Sequence, residues 1–375
     1  MELTLQKTVT FILFILIGVL LKLKFNSKEE ISGIKKIILN LALPATIFIA
    51  LLEVTIDAGL LILPFIGLFF NILLFIGFPY ILPLLGIKKN TPTFRTARIL
   101  LPSLAPGLSC FPFVLEFLGE YYLAKAAMTD LGNKVFVLII LYVIAMNWHY
   151  RLHSKVKNNS RSKLKSLFLA MISEPVNIFI VIALILVFLG LSLESLPIFI
   201  SDTVLRLSTI MTPLVLLFIG LSVKIRKNQL LQLVSLLSVR AGIAVLVSGF
   251  FITLSGVRVQ NEILLVLALA LSACSFWPFA HISSIMDLEK NVSEDKKTFN
   301  GNFAINILAL SFPFSTILIL GVFSGGAVFS SIYPIFILAL ALLFIGFLPV
   351  LVKRIWGLGF ASKKGKYKVS ATESL

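Results

Sequence analysis

Asp130 and Lys134 stand four residues apart, acid first, inside an apolar stretch of the chain. On a helix this spacing sets the two side chains one turn apart on a common face. Lys134 falls about 13 residues from the end of that stretch, ~20 Å deep at 1.5 Å per residue. Ionisable groups at that depth are read as functional by default; the competing reading is an ion pair that neutralises itself and holds its helix in place. Two further stretches carry chemistry through the main chain. Ser103–Phe113 contains Pro106, Gly107, Ser109 and Pro112, and Ser272–Phe279 contains Ser272, Ser275 and Pro278. Proline lacks an N–H, and its ring clashes with the carbonyl four residues back. The freed backbone groups cannot be satisfied by hydrocarbon, so such breaks are expected inside protein or beside a watery cavity. The half-helix after each break turns its positive end inward, where a carboxylate is favoured. The hydroxyls of Ser109, Ser272 and Ser275 are able to donate to an oxyanion, although serine also serves helices that pack closely.

The elements that position these groups are membrane helices. Of 375 residues, 58% are hydrophobic and only 13% charged, with a mean hydropathy of +1.04. Soluble domains carry about 25% charged residues, so the chain reads as an all-α polytopic membrane protein. Spans are expected at about 5–21, 34–52, 60–85, 97–118, 122–147, 173–191, 198–222, 231–255, 262–286, 302–323 and 332–352, eleven in all. The first has no small-residue cleavage site after it and is expected to be retained. Both cysteines, Cys110 and Cys274, fall within spans and give neither a disulfide framework nor metal-ligand spacing.

Loop charge orients the spans. With the N-terminus outside, 27 of the 33 Lys and Arg residues lie in segments on the cytoplasmic side, 22–36 among them. That bias places the C-terminus in the cytoplasm and accounts for the +16 net charge without nucleic acid as a partner.

Pro44 and Pro213 are 169 residues apart, and Pro112 and Pro278 are 166 apart. Similar offsets in two pairs of spans imply that spans 1–5 and 6–10 are copies, and an odd number per copy inverts one against the other. The expected organisation is therefore two inverted five-helix repeats, with breaks in helices 4 and 9, plus an additional C-terminal helix. In residues, it is a first repeat over 1–150, a basic linker over 151–166, a second repeat over 167–323, the extra helix over 324–353 and a basic tail over 354–375. Arg240 in span 8 is long enough to snorkel. His281, one turn past Pro278, is either a proton relay or a packed polar side chain. Glu116 is expected at the outer membrane edge.

Cys110-Phe-Pro-Phe, Phe117-Leu-Gly-Glu and Ala126-Ala-Met-Thr-Asp-Leu-Gly-Asn133, together with Leu41-Ala-Leu-Pro44 and Pro213–Gly220, resemble the auxin efflux carrier family. The resemblance runs over roughly residues 5–323, within the superfamily of bile acid, arsenite and riboflavin transporters. It implies a ten-helix inverted-repeat fold with crossed broken helices 4 and 9, transport of small organic anions, and Asn133 as a site-lining residue. The chain departs from the family at Ala105-Pro106, where an asparagine commonly precedes the helix 4 proline, so one amide contact to a carboxylate is missing.

The expected function is secondary transport of small mono- or dicarboxylates by alternating access around a midplane site at the 4/9 crossing. The substrate-binding residues would be Pro106, Gly107, Ser109, Pro112, Asp130, Asn133, Lys134, Ser272, Ser275 and Pro278. The alternative is a membrane receptor or scaffold that kept the fold and lost transport. HExxH, Gly-x-Ser-x-Gly and P-loop patterns are absent, so neither an enzyme, a cofactor nor a metal is expected. The expected setting is multi-pass in the cell membrane, with the bilayer and a small organic anion as partners and a homodimer left open.

Overall fold

Ser27 opens the second span by exchanging hydrogen bonds with Glu30: its Oγ accepts from the Glu30 amide at 3.1 Å, and its own amide donates to Glu30 Oε2 at 3.1 Å. This capping box starts a helix that the hydropathy of the later residues continues. The computed structural model describes residues 2–25, 27–54, 58–153, 165, 168, 169, 172–222, 230–293 and 296–364. Among these, every regular element is helical. Most of the basic linker, the loop at 223–229 and residues 365–375 lie outside the described residues.

Span 1 is α1 (Glu2–Leu21). Span 2 is α2 (Lys28–Ile37), a π-helical turn (Ile38–Ala42) and α3 (Leu43–Leu52). Span 3 is α4 (Ala58–Ile81), and span 4 is split into α5 (Pro92–Leu100), α6 (Pro106–Ser109) and α7 (Phe111–Leu118). Span 5 is α8 (Glu120–Val135), a π turn and α9 (Leu141–Leu152). Span 6 is α10 (Pro175–Phe188); span 7 is α11 (Ile198–Thr209) and α12 (Met211–Ser222); span 8 is α13 (Leu230–Ser255). Span 9 is split into α14 (Gln260–Ala270) and α15 (Trp277–Leu288). Spans 10 and 11 are α16 (Gly301–Gly325) and α17 (Ile332–Lys364).

Among the described residues, seven helical stretches are long and apolar enough to cross a membrane: Glu29–Leu52, Gly59–Leu85, Glu120–Leu152, Ile198–Ser222, Leu230–Ser255, Gly301–Phe329 and Ile332–Val352. Leu5–Leu21, Pro175–Phe188 and Gln260–Ala270 are shorter apolar helices, and span 4 is broken. The helical ends differ from the expected ones where caps lie further out. α2 begins at its Ser27 cap, not at residue 34, and α5 begins at Pro92 behind a Thr91 cap, not at 97. α17 continues to Lys364, into what was expected to be tail.

Packing is reciprocal between the two halves: α1 lies against α12, and α10 lies against α3. α8 lies so close to α4 that a Cβ on Gly132 would stand 1.7 Å from the Pro64 carbonyl oxygen. Only a residue without a side chain allows that approach, which fixes the helix bearing Asp130 and Lys134. α17 is pressed onto α13 in the same way. A Cβ on Gly346 would meet Val239 Cγ2 at 2.4 Å, and the Ser235 hydroxyl donates to the Gly346 carbonyl. Large apolar residues such as Phe65 (70% exposed) and Phe344 (62%) face outward, while Asn71, Asn133, Lys134 and Arg240 are buried. A hydrophobic exterior with buried polar side chains inside suits a protein whose surroundings are lipid.

Candidate functional site

Backbone groups freed at the two breaks meet each other. The Ala105 amide donates to the Ala273 carbonyl at 2.8 Å. The Ala273 amide donates to Ser109 Oγ at 2.9 Å, and the Ser275 amide to Ser103 Oγ at 3.0 Å. The segments around 106 and 273 are thus joined where neither is regular helix. The prolines stand elsewhere than expected. Pro106, Pro112 and Pro278 each lie in the first turn of the segment that follows a gap, where a missing N–H costs nothing. They start the half-helices that follow the gaps.

The unwound stretch Leu101–Ala105 is satisfied by the protein itself. Ser103 Oγ donates to the Leu100 carbonyl at 2.6 Å. Arg240 donates to the carbonyls of Leu101 at 2.7 Å and Ser103 at 3.0 Å. It is a buried cation at the C-terminal end of α5, where the helix dipole favours one. Asn133 accepts from the Leu104 amide at 3.1 Å and donates to the Leu104 carbonyl at 2.9 Å. Ser109 Oγ donates to the Ala105 carbonyl at 2.8 Å. These main-chain groups of Leu101, Ser103, Leu104 and Ala105 are thus satisfied within the protein, and a solute beside them would meet the neighbouring side chains.

Those side chains line a cavity of about 350 Å³ beside the crossing. Pro106, Gly107, Asp130, Asn133, Lys134 and Ser275 all reach it. Ser109, Pro112, Ser272 and Pro278 do not line it; Ser109 and Ser272 are fully buried, and the Ser272 hydroxyl turns back to the Ala268 carbonyl at 3.3 Å. Cys110 and Cys274 are free thiols buried at the breaks. His281 is held by the Val137 carbonyl at 2.9 Å and packs on Tyr142. Glu116 pairs with Lys7 at 3.4 Å, partly exposed.

Two lysines reach the cavity in different states. Lys134 Nζ lies 3.8 Å from Asp130 Oδ2 and 3.2 Å from Glu174 Oε2, and it donates to Asn177 Oδ1 at 2.8 Å. This ammonium thus has one hydrogen bond and two carboxylates within ion-pair distance. Lys35 has no hydrogen bond or ion pair among the described residues; its ammonium lies 3.7 Å from the centroid of the Phe276 ring. Lys35, Glu174 and Trp277 line the cavity and were not among the expected site residues. Loop counting assigned Lys35 to a cytoplasmic segment. The expected span 2 began at residue 34, so Lys35 stood at its very end; the Ser27/Glu30 cap starts the helix at Lys28 and sets Lys35 well inside it.

No family model matches the chain. Its sequence is 27% identical over 216 residues to the protein named Uncharacterized transporter MJ1031 from Methanocaldococcus jannaschii. The match covers 56% of this chain and 66% of that protein. The chain is a distant relative of a transporter. With seven helices among the described residues apolar and long enough to span a bilayer, it is of the multi-pass membrane class.

Proposed function

We propose that the chain is a secondary transporter that moves small organic monoanions with an apolar body through the cavity at the crossing, each with one proton. The observation that carries this reading is Lys35, an ammonium offered to the cavity with an aromatic face beneath it and without a carboxylate. A desolvated cation of this kind favours an anion. Lys134 is already spent on Asp130 and Glu174. Leu39, Leu43, Phe111, Phe276 and Trp277 supply apolar walls, which suit the rest of a monocarboxylate better than a second charge.

Charge counting suggests the coupling. Two lysines and two acids make the empty cavity formally neutral, so an anion alone leaves one uncompensated negative charge. A proton taken up with the anion restores the balance. Asp130 is its natural site, because its Oδ2 stands 3.8 Å from Lys134 while Glu174 stands at 3.2 Å. The cavity is lined by Lys35 of α2, by Glu174, and by Trp277 and Ala280 of α15, all on the side of the crossing that leads to Lys- and Arg-rich segments. By the positive-inside bias this is an inward-open form. Alternation between faces comes from the resemblance to the auxin efflux carriers.

The test is flux and current in reconstituted vesicles, with phenylacetate and succinate compared at two pH values. Phenylacetate uptake driven by an inward proton gradient, with little net current, is expected. Lys35→Gln should lower uptake by roughly 10- to 100-fold, the equivalent of a charge-assisted hydrogen bond, and Asp130→Asn should release uptake from the proton gradient. Equal transport of succinate, or full uptake by Lys35→Gln, would overturn the reading. Saturable binding without flux would favour the receptor alternative.

A further inference from the structure

A second polar cluster lies where α9 ends, and the cavity makes no use of it. His149 and His153 are four residues apart, so their imidazoles leave the same side of the last turn. Glu289, at the end of α15 and 1% exposed, brings Oε1 within 2.6 Å of His149 Nδ1 and 3.2 Å of His153 Nε2. One ligand atom from each residue can be chosen so that all three lie within 4.8 Å of one another. The carboxylate is held from its far side. The Thr298 amide donates to Oε2 at 2.9 Å, and the Thr298 hydroxyl donates to Oε1.

His153 supplies the independent sign. Its Nε2 is buried and close to Glu289, yet no hydrogen bond is aligned on it. Buried polar atoms are nearly always partnered, so an orphan aimed at a carboxylate and a second imidazole asks for an occupant. The ring itself is 25% exposed, which leaves a path from solvent.

The spacing matches a metal ion of one class. Tetrahedral bonds of about 2.0–2.1 Å set ligand atoms ~3.3 Å apart. The His153–Glu289 edge is already there, and the His149–Glu289 edge must widen by roughly 0.7 Å as the proton between them leaves. Two imidazoles and one carboxylate suit zinc and its borderline neighbours, not magnesium or calcium, which take oxygen ligands. The Thr298 bonds are the outer-shell support that orients a ligating carboxylate. Arg95 opposes the ion. It donates to the carbonyls of Thr298 at 2.7 Å and Lys297 at 3.1 Å, and its charge acts on Glu289.

We propose that His149, His153 and Glu289 bind one divalent transition-metal ion, zinc above all, with a water in the fourth position. The ion clips the end of α9 to the segment after α15, and through Thr298 and Arg95 to α5. The site is separate from the transport cavity, and the inference stands whether or not the transport reading does.

The full-length protein, purified in detergent through a tag without histidines and stripped with chelator, is titrated with Co²⁺ by visible absorption and with Zn²⁺ by calorimetry. One ion per chain is expected, with the intense visible bands of tetrahedral cobalt that zinc displaces. His153→Gln alters the most exposed ligand and should leave the metal-free melting temperature unchanged. It should lower zinc affinity about tenfold or more and abolish the rise in melting temperature that zinc gives the parent. Binding no greater than that of a His149→Gln/His153→Gln double variant would overturn the proposal, as would weak octahedral cobalt spectra indifferent to His153→Gln.

Discussion

The side-chain amide of Asn133 pairs with both main-chain groups of Leu104, at 3.1 and 2.9 Å, as a neighbouring strand would. It also donates to Asp130 Oδ1 at 2.7 Å and accepts from Asn71 Nδ2 at 3.1 Å. One residue therefore holds the unwound backbone of span 4 and one of the two acids of the cavity. Asn133→Leu would leave the Leu104 N–H and C=O buried without partners, at about 1–3 kcal/mol each. A clear fall in melting temperature is expected in detergent, together with loss of uptake. An unchanged melting curve would mean that Leu104 finds other partners.

Pro112→Ala and Pro278→Ala are expected to be mild. Each proline sits in the first turn of its half-helix, and alanine adds only an N–H that has no helical partner at that position. Changes within about 1 kcal/mol and retained uptake are expected from both, measured by thermal unfolding and flux. Total loss of uptake in either variant would restore to the prolines the role that the sequence alone assigns them.

Gly132→Ala should be among the most damaging single-methyl additions. The new Cβ would face the Pro64 carbonyl carbon at 2.7 Å and the Leu68 nitrogen at 2.8 Å, both backbone. Overpacking of this kind costs on the order of 1–3 kcal/mol or more, and it would displace Lys134 and Asp130 from the cavity. Gly77→Ala on α4 is the control: nothing lies within 4 Å of its Cβ position. There, mid-helix alanine should stabilise by roughly 0.5–1 kcal/mol.

Most of the helices, and the irregular stretches near residues 101–105 and 271–276, were legible because apolar length and helix-breaking residues are local properties. What satisfies those stretches was not legible. Leu104 depends on Asn133 and Leu101 on Arg240, pairings that span 29 and 139 residues and exist only once the helices dock. The prolines sit one step from where the sequence reading put them for a related reason. A proline marks a helix start as readily as an interruption, and only the neighbouring hydrogen bonds separate the two. Lys35 was missed because charge counting treats every lysine near a span end as loop, and the His149, His153 and Glu289 group because its carboxylate comes from 140 residues away in sequence.

α13 has α17 sealed along one side at Val239, and its next residue, Arg240, grips the carbonyls that the broken span releases. A single rod thus connects α17 with the unwound main chain of span 4. Membrane thickness acts on a long membrane helix through tilt. A tilt of α17 would be passed along α13 to the carbonyls of Leu101 and Ser103, so a host bilayer of different thickness is expected to alter the geometry of the crossing.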